Sequence, residues 1–151
     1  DPEFEGSFFS YSGVKFSPKP IQKPYPPILI GGQGNAAMRR AAGLGDGWHP
    51  NGSSPDKMAS RIEKLGRIAE SQGRSLSDLK ISVRSELDIL PSGSESGESP
   101  TVGSKDQILE TIDAYGKLGV KEMVFSVSTD DTERIRIVME NFAEKVMNHS
   151  K

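Results

Sequence analysis

Residues 27–48 read PILIGGQGNAAMRRAAGLGDGW. The apolar run Ile28-Leu29-Ile30 ends in Gly31-Gly32, and Gln33 and Gly34 lead into helix-forming sequence. A short continuous apolar run suits a parallel strand buried on both faces. The helix is expected over residues 35–44, with Ala36, Ala37, Ala41 and Ala42 as a small-residue packing face and Gly43 and Gly45 ending it. Residues 32–37 match G-x-G-x-x-A, a dinucleotide-binding fingerprint. That fingerprint also demands an Asp or Glu at the end of the next strand. Here the next strand is Gly47-Trp48-His49, which runs into Pro50-Asn51 with no acid and is too short for a central strand of a dinucleotide fold. A simpler chemistry survives. A strand that ends in Gly-Gly and turns into a helix aims free amides at whatever lies above the strand ends, and the helix dipole favours an anion there. Glycine also lets such a group approach the backbone closely. Tight βα turns use glycine for their own geometry, so the turn by itself leaves an anion site and a plain connection both open.

Outward from this turn, the chain has 151 residues, the size of one domain. Nineteen Lys and Arg are spread along the chain and balanced by 21 Asp and Glu, which speaks against a nucleic-acid surface. No apolar stretch approaches the ~20 residues of a membrane span, and no secretory signal opens the chain, so a cytoplasmic protein without a membrane partner is expected. With no cysteine, disulfides, thiolate metal sites and cysteine nucleophiles are excluded. Only His49 and His149 supply imidazoles, so no metal site is expected. Asp1-Pro2-Glu3-Phe4 reads as translated cloning sites and is set apart from the fold. There is no initiator methionine, so a piece of a longer protein is expected. Residues 5–27 read as an extended lead-in. Phe8 to Val14 alternates weakly, as a short hairpin or extended segment, and five prolines from Pro18 to Pro27 forbid a helix.

After Asn51, Ser53 or Ser54 is expected to cap a helix that starts at Pro55 and ends near Gln72, with Met58, Ile62, Leu65, Ile68 and Ala69 as its apolar stripe. Residues 80–90, with Ile81, Val83, Leu87 and Ile89, read as one strand. Residues 91–100 are rich in Ser, Gly and Glu and read as a mobile loop. Ser104 is expected to cap a helix to Leu118, with Ile108, Ile112 and Tyr115 inward and Gly119 as its stop. Residues 122–127 read as a strand. The last helix is expected from Asp130 or Asp131 to Met147, with Ile135, Val138, Met139, Phe142 and Val146 at helical spacing. The order is β-α repeated four times, an α/β class with parallel strands joined by crossovers. Four such units make either a small open sheet or half of an eight-unit barrel.

A set of blocks then occurs in order: Phe8 through Gly13, Ser17-Pro18-Lys19-Pro20, Gln22-Lys23-Pro24, Pro26 through Gly32, Arg39-Arg40-Ala41-Ala42 and Gly45-Asp46-Gly47-Trp48-His49-Pro50. Gly73-Arg74, Asp78 through Ile81, Val102-Gly103-Ser104 and Gly119 through Val124 continue the series. This sequence resembles the luciferase-like monooxygenases, enzymes that depend on a flavin or a deazaflavin. The resemblance implies a (β/α)8 TIM barrel of roughly twice this length. Residues 28–151 would be its C-terminal half, four consecutive βα units.

By the same resemblance, Gly31 and Gly32 would bind the phosphate of FMN or of a deazaflavin (coenzyme F-420) through their amides, with Gln33, Gly34 and Asn35 beside them. Trp48, His49 and Asn51 stand at the C-terminal end of a strand, the active face of a barrel. His49 is the candidate catalytic residue, either an acid/base or a contact to ligand, against the plainer reading of a loop histidine. Trp48 and Asn51 are candidate substrate contacts, with packing as the plainer role for Trp48. Arg84, Glu86 and Asp88 share a strand face by parity, and an ion pair is the plainer reading of them. Ser126 and Ser128 close the last strand. The implied function is part of a monooxygenase or hydride-transfer enzyme acting on a small-molecule substrate, the piece alone being inactive. Two other readings stand beside it: a binding or assembly module, and a Rossmann-type dinucleotide binder. Half a barrel would leave open sheet edges and half of an apolar lining exposed, so a homo-oligomer is expected.

Overall fold

The computed structural model describes residues 2–95 and 97–149, the last by its backbone alone. Asp1 of the segment set apart from the fold, and Ser96 of the Ser/Gly/Glu-rich loop, lie outside the described residues. The chain opens with a two-stranded antiparallel hairpin, β1 (Phe4–Glu5) and β2 (Ser10–Tyr11). Phe4 is not idle in it. Its ring stands 5.5 Å from that of Phe9 and 5.9 Å from that of Tyr11. Beyond the hairpin, the proline-rich residues 18–27 carry no helix or strand.

The body of the fold follows from β3 (Leu29–Gly31), α1 (Asn35–Leu44), β4 (Gly47–His49) and α2 (Pro55–Ser71). It continues with β5 (Lys80–Glu86), β6 (Asp88–Ile89), β7 (Val102–Gly103), α3 (Lys105–Lys117), β8 (Glu122–Ser126) and α4 (Thr132–Lys145). Four strands form one parallel sheet in the order β3-β4-β5-β8. Among these four, each strand pairs with the next in the chain, as in a barrel wall. A doubly wound dinucleotide fold instead reverses its strand order at a switch point. The topology therefore removes the Rossmann reading of the Gly-rich turn.

Strand parity decides which side chains meet the helices. Ile30, Trp48 and Ile81 lie in one row across the sheet and join Val83 and Met123 against Met38, Met58, Leu65 and Tyr115. Burying each such large side chain stabilises the fold by about 1.5–3 kcal/mol. A second apolar cluster joins Leu87, Ile108, Val138 and Val146 with Phe125 and Phe142, whose rings are 4.9 Å apart. Ile112 packs against this cluster but is only partly buried, and Met139, although at helical spacing, is 62 % exposed.

Two local expectations change. Ser54 occupies the cap position of α2 but its hydroxyl caps nothing. Ser104, by contrast, forms a reciprocal capping box with Gln107, and Asp131 accepts from the amides of Glu133 and Arg134. The strand expected over residues 80–90 divides after Glu86. The Leu87 amide bonds Ser126 O at 2.9 Å, whereas the Asp88 amide bonds Thr101 O at 3.2 Å, so β6 leaves the sheet to pair with β7. Thr101, fully buried, donates to Glu86 O and lies 2.6 Å from Ser85 Oγ, and Ser99 Oγ donates to Glu86 O at 3.0 Å. The later part of the loop is thus tied down at the end of β5. A partner segment well over ten residues away sets this break, and periodicity within the strand carries no sign of it.

Candidate functional site

Parallel strands bring Gly31, His49, Glu86 and Ser126, the last residues of β3, β4, β5 and β8, to one end of the sheet. The Gly-rich turn rises from the first of these. Gly32 has φ +99°, a conformation that side chains rarely adopt, and a Cβ built there would lie 3.1 Å from the Ala37 Cβ. Gly34 stands at the N-cap of α1 with φ −82°, and a Cβ there would meet nothing within 4 Å. The first helical bond is Met38 N to Gly34 O at 3.1 Å, so the N–H groups of Asn35, Ala36 and Ala37 have no intrahelical acceptor. No side chain caps them and no acidic residue occupies the first turn. The positive end of α1 is therefore open, uncapped and not neutralised, beside glycines that admit a bulky anion.

Two side chains hold this turn in place. Trp48 Nε1 donates to Gly32 O at 2.8 Å, and Gln33 Nε2 donates to Asn51 O at 3.4 Å. Trp48 is 0 % exposed and belongs to the core on the helix side. The expectation that it touches substrate is corrected: parity turns its side chain away from the open face, and its work is to anchor the turn. Gln33 acts from within the turn on the loop that follows β4. Asn51 is exposed and lies with Gly52, Arg84, Glu86, Ser126 and Ser128 along a polar cleft at the strand ends. A parallel bridge between Asn51 and Arg84 continues the β4–β5 pairing past Pro50. Of the carboxylates on β5 and β6, Glu86 enters the cleft, whereas Asp88 is held by Arg134 in a two-pronged ion pair of 2.6 and 2.7 Å.

His49 faces the side of the sheet without helices. Its Nδ1 lies 2.9 Å from Ser82 Oγ on β5, and Ser82 Oγ donates to Glu122 Oε1 on β8 at 3.4 Å. Lys80 pairs with the same carboxylate. The hydrogen bond and charge of Lys80 hold the Glu122 carboxyl below its ordinary range. Ser82 is 0 % exposed, so its hydroxyl is enclosed by these partners. Reading the sequence alone missed Lys80, Ser82 and Glu122. Alternation placed Lys80 and Ser82 on the face of Arg84 and Glu86, but only the β5–β8 register sets Ser82 opposite Glu122.

The same register corrects the expected apolar lining. The face opposite the helices carries His49, Lys80, Ser82, Arg84, Glu86, Glu122 and Ser126, with Leu29 on β3 and Val124 on β8 as apolar members. A more apolar hollow exists, lined by Ile112, Val120, Met123, Phe125, Phe142 and Val146, but it lies between α3, β8 and α4 on the helix side. Among the described residues, no three His, Asp or Glu groups gather into a metal site, and no helix is long and apolar enough to cross a membrane.

A sequence model described as luciferase-like monooxygenase matches residues 1–90. An uncharacterised protein of Mycobacterium tuberculosis is 40 % identical over 72 residues, 48 % of this chain and 24 % of that protein. An FMNH2-dependent dimethylsulfone monooxygenase of Pseudomonas putida is 29 % identical over 73 residues, 48 % of this chain and 20 % of that one. The solved structure of an F420-dependent secondary alcohol dehydrogenase, in complex with an F420-acetone adduct, superposes with a TM-score of 0.75 at 13 % identity. It is matched over 99 % of this chain and 56 % of its own, so the chain spans about half the length of that barrel enzyme.

Proposed function

The chain belongs to the luciferase-like monooxygenase family, and on that premise we propose that it supplies the phosphate-gripping part of a flavin- or deazaflavin-dependent oxidoreductase. The observation that carries this reading is the uncapped start of α1. Gly32 at φ +99° and the open Gly34 leave room for a phosphate against amides that have no intrahelical acceptor. Those residues fit the phosphate of FMN or of coenzyme F420. The likeness to an FMNH2-dependent monooxygenase and to an F420-dependent dehydrogenase keeps both cofactors in play.

When bound, such a group supplies the redox chemistry, either dioxygen activation or hydride exchange with a small organic substrate. The chain's own residues do the rest. Gly31, Gly32, Gln33, Gly34 and Asn35 form the phosphate turn. Trp48 and Gln33 fix that turn relative to the strand ends. His49 stands on the open face as the candidate acid/base, while Asn51 and Arg84 line the cleft where substrate enters. In this reading the chain forms the C-terminal half of the barrel and lacks oxidoreductase turnover by itself.

Titration of the purified chain with FMN, riboflavin and F420, followed by cofactor fluorescence, tests the assignment. Binding of FMN or F420 that inorganic phosphate displaces, with riboflavin binding at least tenfold weaker, supports it. Riboflavin binding as tightly as FMN refutes a phosphate grip. A second reading, self-association, is favoured by the sheet itself. Strands β3 and β8 end the order β3-β4-β5-β8 with one paired side each, and Phe8 and Ile21 on the lead-in are 95 % and 98 % exposed.

A further inference from the structure

The row of groups that begins at His49 has a direction. A serine hydroxyl carries one proton. The enclosed Ser82 hydroxyl has two neighbours, the Glu122 carboxylate at 3.4 Å and His49 Nδ1 at 2.9 Å. An ionised carboxylate only accepts, and Lys80 keeps Glu122 ionised by holding its carboxyl below the ordinary range. If Ser82 spent its proton on His49, the lone pairs of its 0 % exposed hydroxyl would face the ionised carboxylate of Glu122, itself 43 % exposed, and a hydroxyl closed off from solvent cannot offset that repulsion. The arrangement that satisfies every group has Ser82 donating to Glu122 and accepting from a protonated His49 Nδ1.

We propose that Lys80, Glu122 and Ser82 form a positioning relay that locks neutral His49 in the Nδ1–H tautomer, leaving Nε2 as a bare acceptor on the open face of the sheet. Nε2 has no hydrogen-bond partner among the described residues. An acceptor held this way takes a proton from, or a hydrogen bond from, a hydroxyl or amine of the ligand, and a donor is not available to it until it is protonated. Register makes the lock possible. Gly31 is paired with His49, and Ser82 with Glu122, so the relay crosses three adjacent strands of a rigid sheet and ends beside the Gly-rich turn. His49 and Ser82 are the next residues along their strands from the paired Trp48 and Ile81, which brings them opposite one another. The consequence for chemistry rests on the reading of His49 as a ligand-facing residue. The tautomer itself does not.

The test is a long-range 1H–15N correlation spectrum of the whole chain, recorded where imidazole is neutral. His49 and His149 are the two histidines, so His149→Gln assigns the signals. The expected spectrum shows the His49 Nδ1 protonated and Nε2 bare. Ser82→Ala should move His49 to the Nε2–H form that free imidazole side chains prefer, and Ser82→Thr, which keeps a hydroxyl on a strand, should restore the locked form. Should Ser82→Ala lose its dispersed amide spectrum, the unsubstituted protein and Ser82→Thr still decide. A His49 found mainly as Nε2–H in either overturns the relay. So does a folded Ser82→Ala with the same tautomer as the parent. A chain that shows the locked tautomer but binds neither FMN nor F420 upholds the relay and refutes the cofactor reading, which keeps the two failures apart.

Discussion

Replacing Gly32 by alanine probes the turn at its tightest point. The native φ of +99° lies where an L side chain meets its own backbone, a strain of about 1–3 kcal/mol. The new methyl would also come 3.1 Å from the Ala37 Cβ, closer than ordinary packing allows. Against these stands a gain of about 0.4–1 kcal/mol from a less flexible unfolded chain. The net expectation for Gly32→Ala is a loss of about 1–2 kcal/mol. Ala37→Gly removes the methyl that the new side chain strikes, at a helix-propensity cost of up to about 1 kcal/mol. Because the two sites touch, the double variant should be more stable than the sum of the singles implies, by about 0.5 kcal/mol or more. Urea unfolding followed by far-ultraviolet circular dichroism and by Trp48, the single tryptophan, measures all four proteins. The FMN affinity of Gly32→Ala should fall in parallel, since the shifted turn moves the first amides of α1. A Gly32→Ala protein as stable as its parent would refute the strained-turn geometry. Additive effects in the double variant would refute the methyl contact.

The Lys80–Glu122 pair makes a pH prediction with a definite sign. Its folded carboxyl sits below the ordinary value of 4.5, so its contribution is complete above that value and is lost as pH falls through the lower, folded one. The urea midpoint of the parent should therefore drop more steeply with acid below about pH 4.5 than that of Glu122→Gln at low salt, and parallel curves would contradict the pairing. For self-association, light scattering should give a mass of at least twice the 16.4 kDa of one chain, and a folded species at the single-chain mass would rule it out.

Several features were legible from residues near in sequence. The span of α1, Ser104 as the cap of α3 and the Pro55 start of α2 rest on local chemistry, and local chemistry is what short motifs encode. The Gly-rich turn was visible for the same reason. Its rejection as a dinucleotide fingerprint rested on the missing acid after β4, and the sequential order β3-β4-β5-β8 supplies the stronger ground.

What only the tertiary structure decided concerns partners brought together by register. Trp48 and His49 are neighbours in the chain, yet pleating sends the indole into the core to hold Gly32 O and the imidazole to the open face. Ser82 and Glu122 lie forty residues apart and meet because β5 pairs with β8 in one register. A shift of one residue would turn Ser82 inward and leave His49 without its partner. Sequence by itself determined the order of βα units, the glycines that open the helix start and the family these blocks resemble, because each depends on local backbone preference and motif. The chemistry of the open face depends on distances between strands, and those exist only once the sheet has formed.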